Sequence, residues 1–444
     1  MTPTTAAVFL HREARALLTR LDQVGPFVLS ETMVAAAAPT PAALSAVDRY
    51  LIEGRRVLRD RVMRYLDWLA GAGAGQPPSV QQRRFTSIRL AFNDALAQFD
   101  LFTEAVTQRS EHRTGVWLSG LDMLATDALR LPGGFFDPPA LLCYLARGPG
   151  AAIRRARTRL PGGGQNPVAL IRVPRERMVG HGIASSLVHE VGHQAAALLS
   201  LVESLRRALP ARRRRAGGAA RDAWASWQLW ISEILADLWS VARLGIGSTL
   251  GLVGVVSLPP WFVFRPSGAD PHPIPWIRVQ VSCALGNALY PDRQWAELAG
   301  LWSQLYPVAS APRAMRAPLA DLMAEIPAFV RFLLDHRPPA LLGAHLGDTL
   351  VLRDRRRDAL LDRYADWRRS PAGPAETPPA LAFAVVGQAR AAGLISPERE
   401  SRLLGDLLTG WAVRSSLDTS LLCARTAAAP ISVTTAFTWE KRRV

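Results

Sequence analysis

His189-Glu190-Val191-Gly192-His193 combines residue types and spacing that suit metal chemistry. Residues four apart lie on one face of a helix, one turn apart, so both imidazoles can present a nitrogen to a single Zn²⁺. Glu190 lies beside them, placed to take a proton from metal-bound water. The surrounding pattern predicts a helix over 183–209 with an apolar side of Ile183, Leu187, Val191, Leu198, Val202 and Leu205. Such a helix can be buried while showing its histidines to a cleft. A catalytic zinc site takes three protein ligands and keeps a fourth position open. Glu233, within Ser232-Glu233-Ile234-Leu235-Ala236-Asp237, is the best candidate for the third ligand. Asp237 shares its helix face and is placed to accept a hydrogen bond from the far nitrogen of a ligating histidine, which fixes that ring's tautomer. The plainer reading of the pair is an acidic helix face. In Asp270-Pro271-His272-Pro273-Ile274-Pro275-Trp276-Ile277-Arg278, three prolines hold His272 and Arg278 in defined positions. An imidazole and a guanidinium there can stabilise the oxyanion formed when water attacks a peptide carbonyl. The plainer reading is a structural proline-rich loop with a surface arginine.

HExxH, then ExxxD, then an HP segment with a following arginine resembles the gluzincin zinc peptidases, in an order similar to the HtpX/CAAX-prenyl-protease type. The resemblance covers Val168 to Arg278, about a quarter of the chain. It implies zinc on His189, His193 and Glu233, with Glu190 as general base and Asp237 as the carboxylate behind a ligating histidine. His272 and Arg278 match the family's segment near the substrate. One departure concerns the membrane. Family members of this type carry clear transmembrane helices, whereas the uncharged stretch from Leu244 to Phe264 holds Gly245, Gly247, Gly251 and Gly254 and ends near Pro259-Pro260. A single crossing there would also put Asp237 and His272 on opposite sides of a bilayer. The expectation is therefore a buried helix or loop packed behind the site, and no membrane span.

The elements that must position these residues are mostly helical. Tyr50 to Leu69 places Leu51, Val57, Leu58, Val62, Met63, Leu66 and Leu69 on one stripe, and Gly71 to Pro78 ends it. Phe85 to Val106 and Val116 to Leu129 repeat the pattern. Val168 to Val173 is the best strand candidate, and Pro174 suggests a sheet edge that could pair with extended substrate. After the helix over 183–209, Arg212 to Arg215 reads as an inter-helix loop, followed by a helix over 221–244. Trp224, Trp227 and Trp230 recur at helical spacing and read as core rather than pocket lining. His181, eight residues before His189, reads as a polar contact near the cleft mouth and not as a ligand. Ser396-Pro397 reads as a helix start, and 431–438 as a terminal strand or loose tail. The fold expected is mainly α (α+β): a zincin-like core with a small edge sheet over 151–310, between helical regions over 1–150 and 311–444.

Composition bounds the function class. The 444 residues are 49% hydrophobic and 20% charged, which excludes a largely disordered chain. A net charge of +16 points at face value to nucleic acid or an anionic membrane. Lys441 is the single lysine, however, and nucleic-acid binders usually mix both cations. No helix-turn-helix, zinc-finger or RNA-binding signature is present. Cys143, Cys283 and Cys423 stand singly, which excludes a disulfide framework and a cysteine zinc site and favours a reducing, cytoplasmic location. The expectation is a zinc-dependent metallopeptidase acting on a peptide or protein substrate. The alternatives are a non-catalytic scaffold of the same fold and a basic nucleic-acid-binding protein.

Overall fold

The structure, a computed structural model, describes residues 5–23, 31–147, 151–160, 164–174, 181–266, 268–370 and 372–428. Three helices open it: α1 (Thr5–Gln23), α2 (Pro41–Ala70) and α3 (Pro78–Thr107). Thr40 caps α2 by accepting the Ala43 N–H, and Pro41 fits its first turn. These helices share their own small core of Leu10, Leu17, Leu58, Val62, Phe85 and Phe92. The stripe expected over 50–69 is buried at Leu51, Leu58, Val62 and Leu69, while Val57 and Met63 face solvent.

Helix α4 (His112–Leu129) leads into a sheet of β1 (Leu141–Ala146), β2 (Ala152–Arg154) and β3 (Ala169–Pro174). The order is β1-β3-β2, with β1 parallel and β2 antiparallel to β3. The strand expected over 168–173 is thus central and not an edge. Pro174 is tolerated because it takes the last ladder position, where a missing N–H interrupts nothing. The outer edge of β1 is closed by side chains. Asp122 accepts the Cys143 N–H at 2.7 Å, Arg109 donates to the Cys143 carbonyl at 2.6 Å, and the Gln108 amide pairs with both backbone groups of Leu145. Arg109 and Asp122 form an ion pair at 2.9 Å with almost no exposure.

The site-bearing layer follows: α5 (His181–Leu198), α6 (Leu201–Arg215), α7 (Gly218–Leu244), α8 (Ile246–Val256), α9 (Pro260–Val263) and α10 (Pro275–Leu289). The single helix expected over 183–209 is two, because the chain breaks at Ser200 in the left-handed region (φ 50°). The arginine run is likewise not a loop. Arg212 to Arg215 form the last turn of α6, where cations meet the negative end of the helix dipole. The uncharged stretch becomes α8 and α9, with Gly245 (φ 56°) turning the chain out of α7. Helix α8 packs against α5 as one wall of the cleft, rather than behind it. No helix among the described residues is long and apolar enough to cross a membrane.

The remaining helices are α11 (Arg293–Leu305), α12 (Arg313–Leu334), α13 (Leu346–Leu350), α14 (Arg357–Arg369), α15 (Gly373–Glu376), α16 (Pro379–Ala391) and α17 (Pro397–Ala428). Ser396 caps α17, as expected, by accepting the Arg399 N–H. The fold is mainly helical with one small sheet, and its largest core runs from α4 and β1 through α5, α7, α10 and α12 to α16 and α17. Trp224, Trp227 and Trp230 belong to that core: all three are buried, and Trp227 stacks on Phe329 with centroids 4.8 Å apart. The His181 side chain and the segment 431–438 lie outside the described residues.

Candidate metal centre

Helix α5 carries His189 and His193 one turn apart, with ring centroids separated by 4.8 Å. Helix α7 crosses α5 closely enough to bring Glu233 between them. Gly192, inside the HExxH segment, makes that approach feasible, since a Cβ there would stand 2.8 Å from the Ala236 Cα and 2.9 Å from its carbonyl oxygen. The two carboxylate oxygens of Glu233 divide between the rings. Oε2 lies 3.3 Å from His189 Nε2, and Oε1 lies 3.3 Å from His193 Nε2. One ligand atom from each residue falls within 4.8 Å of the others, so the three form a group that could hold a metal ion.

Two imidazoles and a carboxylate converging in this way could hold a metal ion. Glu233 Oε2 is buried and makes no hydrogen bond among the described residues, so it is a lone-pair donor without a proton donor aligned on it. Two imidazoles and one carboxylate are also the ligand types of catalytic zinc sites.

A second tier of contacts orients the first. Asp237, one turn beyond Glu233 on α7, lies 2.8 Å from His189 Nδ1. A proton on Nδ1 donated to Asp237 leaves the Nε2 lone pair facing the cluster. Arg278, near the start of α10, grips Asp237 with two parallel bonds, Nε to Oδ2 at 2.7 Å and Nη2 to Oδ1 at 2.8 Å. Arg278 is therefore committed to a carboxylate of this chain, and its Nη2 passes Glu233 at a longer 3.8 Å. His272 stands opposite, half exposed, with Nε2 3.4 Å from Glu233 Oε2. Asp270 holds it by accepting both the His272 backbone N–H at 3.0 Å and, at 2.6 Å, Nδ1 of the ring.

The electrostatics of the cluster are strongly coupled. Burial pulls the His189 imidazole down, but Asp237 and Glu233 more than reverse this and hold it at about 9 in the metal-free protein. Burial pushes Glu233 up, and the two histidines outweigh it to leave the carboxyl well below its ordinary range. Asp237 behaves alike: burial raises it, Arg278 and His189 lower it, and the result is about 2. The ion would thus displace a proton from His189 and find both carboxylates already ionised.

A cavity of about 360 Å³ opens beside the cluster. His189, Glu190 and Ser185 of α5 line one side, Leu252, Val255 and Val256 of α8 line another, and Phe262, Arg265, His272 and Pro273 complete it. Glu190 is buried on this wall. Ala151, just before β2, also reaches the cavity, and β2 is an edge strand of the sheet.

All seven residues singled out from the sequence meet here: His189, Glu190, His193, Glu233, Asp237, His272 and Arg278. Three contributors were missed. Asp270 sits two residues before His272 and was legible as a turn-forming aspartate; Gly192 was legible as the small residue of the motif. Ala151 carries no local signal. Comparison with known proteins returns no match: no protein-family model, no curated protein and no solved structure is significantly similar to the chain.

Proposed function

We propose that the protein is a zinc-dependent metallopeptidase that hydrolyses peptide bonds in a peptide or protein substrate. The observation that carries this reading is the placement of both histidine Nε2 atoms 3.3 Å from separate oxygens of Glu233, beside a cavity that also presents Glu190. Zinc bound there would polarise a substrate carbonyl and lower the pKa of water to about 7. Glu190 accepts the proton of the attacking water and returns it to the leaving amine. His272, steadied by Asp270 on the open side of the cluster, stabilises the developing oxyanion. Arg278 acts through Asp237, holding His189 in the ligating orientation, so the oxyanion role falls to His272.

The reading includes a cytoplasmic location, supported by three cysteines that are all free thiols, two of them buried. Metal analysis combined with a peptide-library digest tests it. One zinc per chain together with cleavage of a subset of peptides is expected. One zinc with no cleavage of any peptide would instead favour a non-catalytic scaffold and remove the peptidase assignment.

A further inference from the structure

A second cavity, of about 530 Å³, lies where α4, α7 and α16 meet the turn before α14. It shares none of its lining with the metal centre. Arg243 of α7 forms part of its wall, six residues beyond Asp237 and so about 9 Å further along the helix. This arginine is 2% exposed. Its Nε donates to the Ala128 carbonyl at 3.1 Å and its Nη2 to the Arg130 carbonyl at 2.9 Å, while its plane lies over Trp239. Carbonyls carry no net charge, and among the described residues no carboxylate forms an ion pair with Arg243. Burial pulls its pKa down to about 10, the direction expected of a cation short of counter-charge.

Asp127 and Asp354 offset part of this charge from a distance, and the buried cation Arg355 opposes them. Arg355, also buried, donates to the Arg243 carbonyl at 2.6 Å and pairs with Asp354 at 2.9 Å. Asp127 spends Oδ2 on the Ala380 N–H at 2.9 Å. Arg130 adds a third guanidinium, so the lining carries three arginines against two aspartates, one positive charge in excess. The rest of the wall is apolar, formed by Leu131, Phe136, Leu352 and Leu381.

We infer that this cavity binds an amphiphilic anion, a carboxylate or phosphate head on an apolar body, with the head on Arg243 and Arg130. Guanidinium forks match both head groups, and the apolar wall takes the body. The site is independent of zinc and of peptide hydrolysis, so it stands or falls separately from the peptidase reading.

Calorimetric titration of the full chain at constant ionic strength tests the inference with octanoate, octyl phosphate, octan-1-ol and inorganic phosphate. Saturable binding of octanoate or octyl phosphate is expected, at least tenfold tighter than octanol or inorganic phosphate; the tighter of the two amphiphiles identifies the head group. Arg130→Gln, whose side chain is exposed, should weaken it three- to tenfold, and Arg243→Gln should abolish it. Leu381→Trp, which fills the apolar end, should block both probes and serves if Arg243→Gln fails to fold. Octanol binding as tightly as octanoate would overturn the site, as would inorganic phosphate binding as tightly as octyl phosphate. Wild-type affinity in both Arg130→Gln and Leu381→Trp would do the same.

Discussion

Among the described residues, two arginine–aspartate pairs of similar geometry sit in different settings. Arg109 and Asp122 meet at 2.9 Å beneath β1, and Arg278 and Asp237 meet at 2.7 Å behind the metal centre. At the sheet, Asp122 also accepts the Cys143 backbone N–H, and the pair is almost fully buried. At the centre, Asp237 gives its other bond to an imidazole that lies on a cavity. Burial pushes Asp122 up against the pull of a single cation, whereas two cations bring Asp237 down to about 2. The same pair therefore closes a strand edge in one place and orients an imidazole in the other. What the aspartate's Oδ1 touches besides the arginine decides between the two uses.

Breaking the pair at the sheet should cost the most in stability. Arg109→Met strands a buried carboxylate and is expected to lower unfolding free energy by about 3–5 kcal/mol, while zinc stoichiometry stays unchanged. Adding Asp122→Leu to it should restore much of that loss, because a buried pair replaced as a whole by apolar groups is often neutral. Denaturant titration and metal analysis of both variants check this, and a loss of zinc in either would erase the distinction. At the centre the loss should appear in metal affinity instead. Asp237→Asn is expected to weaken zinc binding about 10–100-fold, measured by chelator competition.

Acid sharpens the contrast further. Asp237 is depressed from 3.8 in the unfolded chain to about 2 in the fold, so its contribution is present above pH 3.8 and lost as pH falls through about 2. The metal-free protein should lose about 2 kcal/mol across that window, and Asp237→Asn should remove that component of the slope. Equal acid slopes in the two proteins would show that Asp237 does not carry it.

The same comparison explains what was legible in the sequence. The residues of the centre lie on two helices at one-turn spacing, so periodicity alone placed His189 with His193 and Glu233 with Asp237 on shared faces. The tryptophans of α7 and the Ser396 cap followed from equally local rules. Arg278 did not, because nothing in a sequence says whether a guanidinium faces a substrate or an aspartate 41 positions away. The central place of β3 was hidden for a similar reason. Its neighbour β1 is held by Gln108, Arg109 and Asp122, contacts that span 21 to 37 positions. The break at Ser200 lacks a glycine or proline to announce it, and the arginine run was helical because the dipole of α6 favours it there.

The most direct test of the central claim is to measure zinc content and peptide hydrolysis side by side in the wild-type protein and Glu190→Gln. Glu190 lines the cavity without being one of the three grouped ligands, so its amide should leave one zinc per chain and remove nearly all hydrolysis. Zinc retained with cleavage at the wild-type rate would contradict the account.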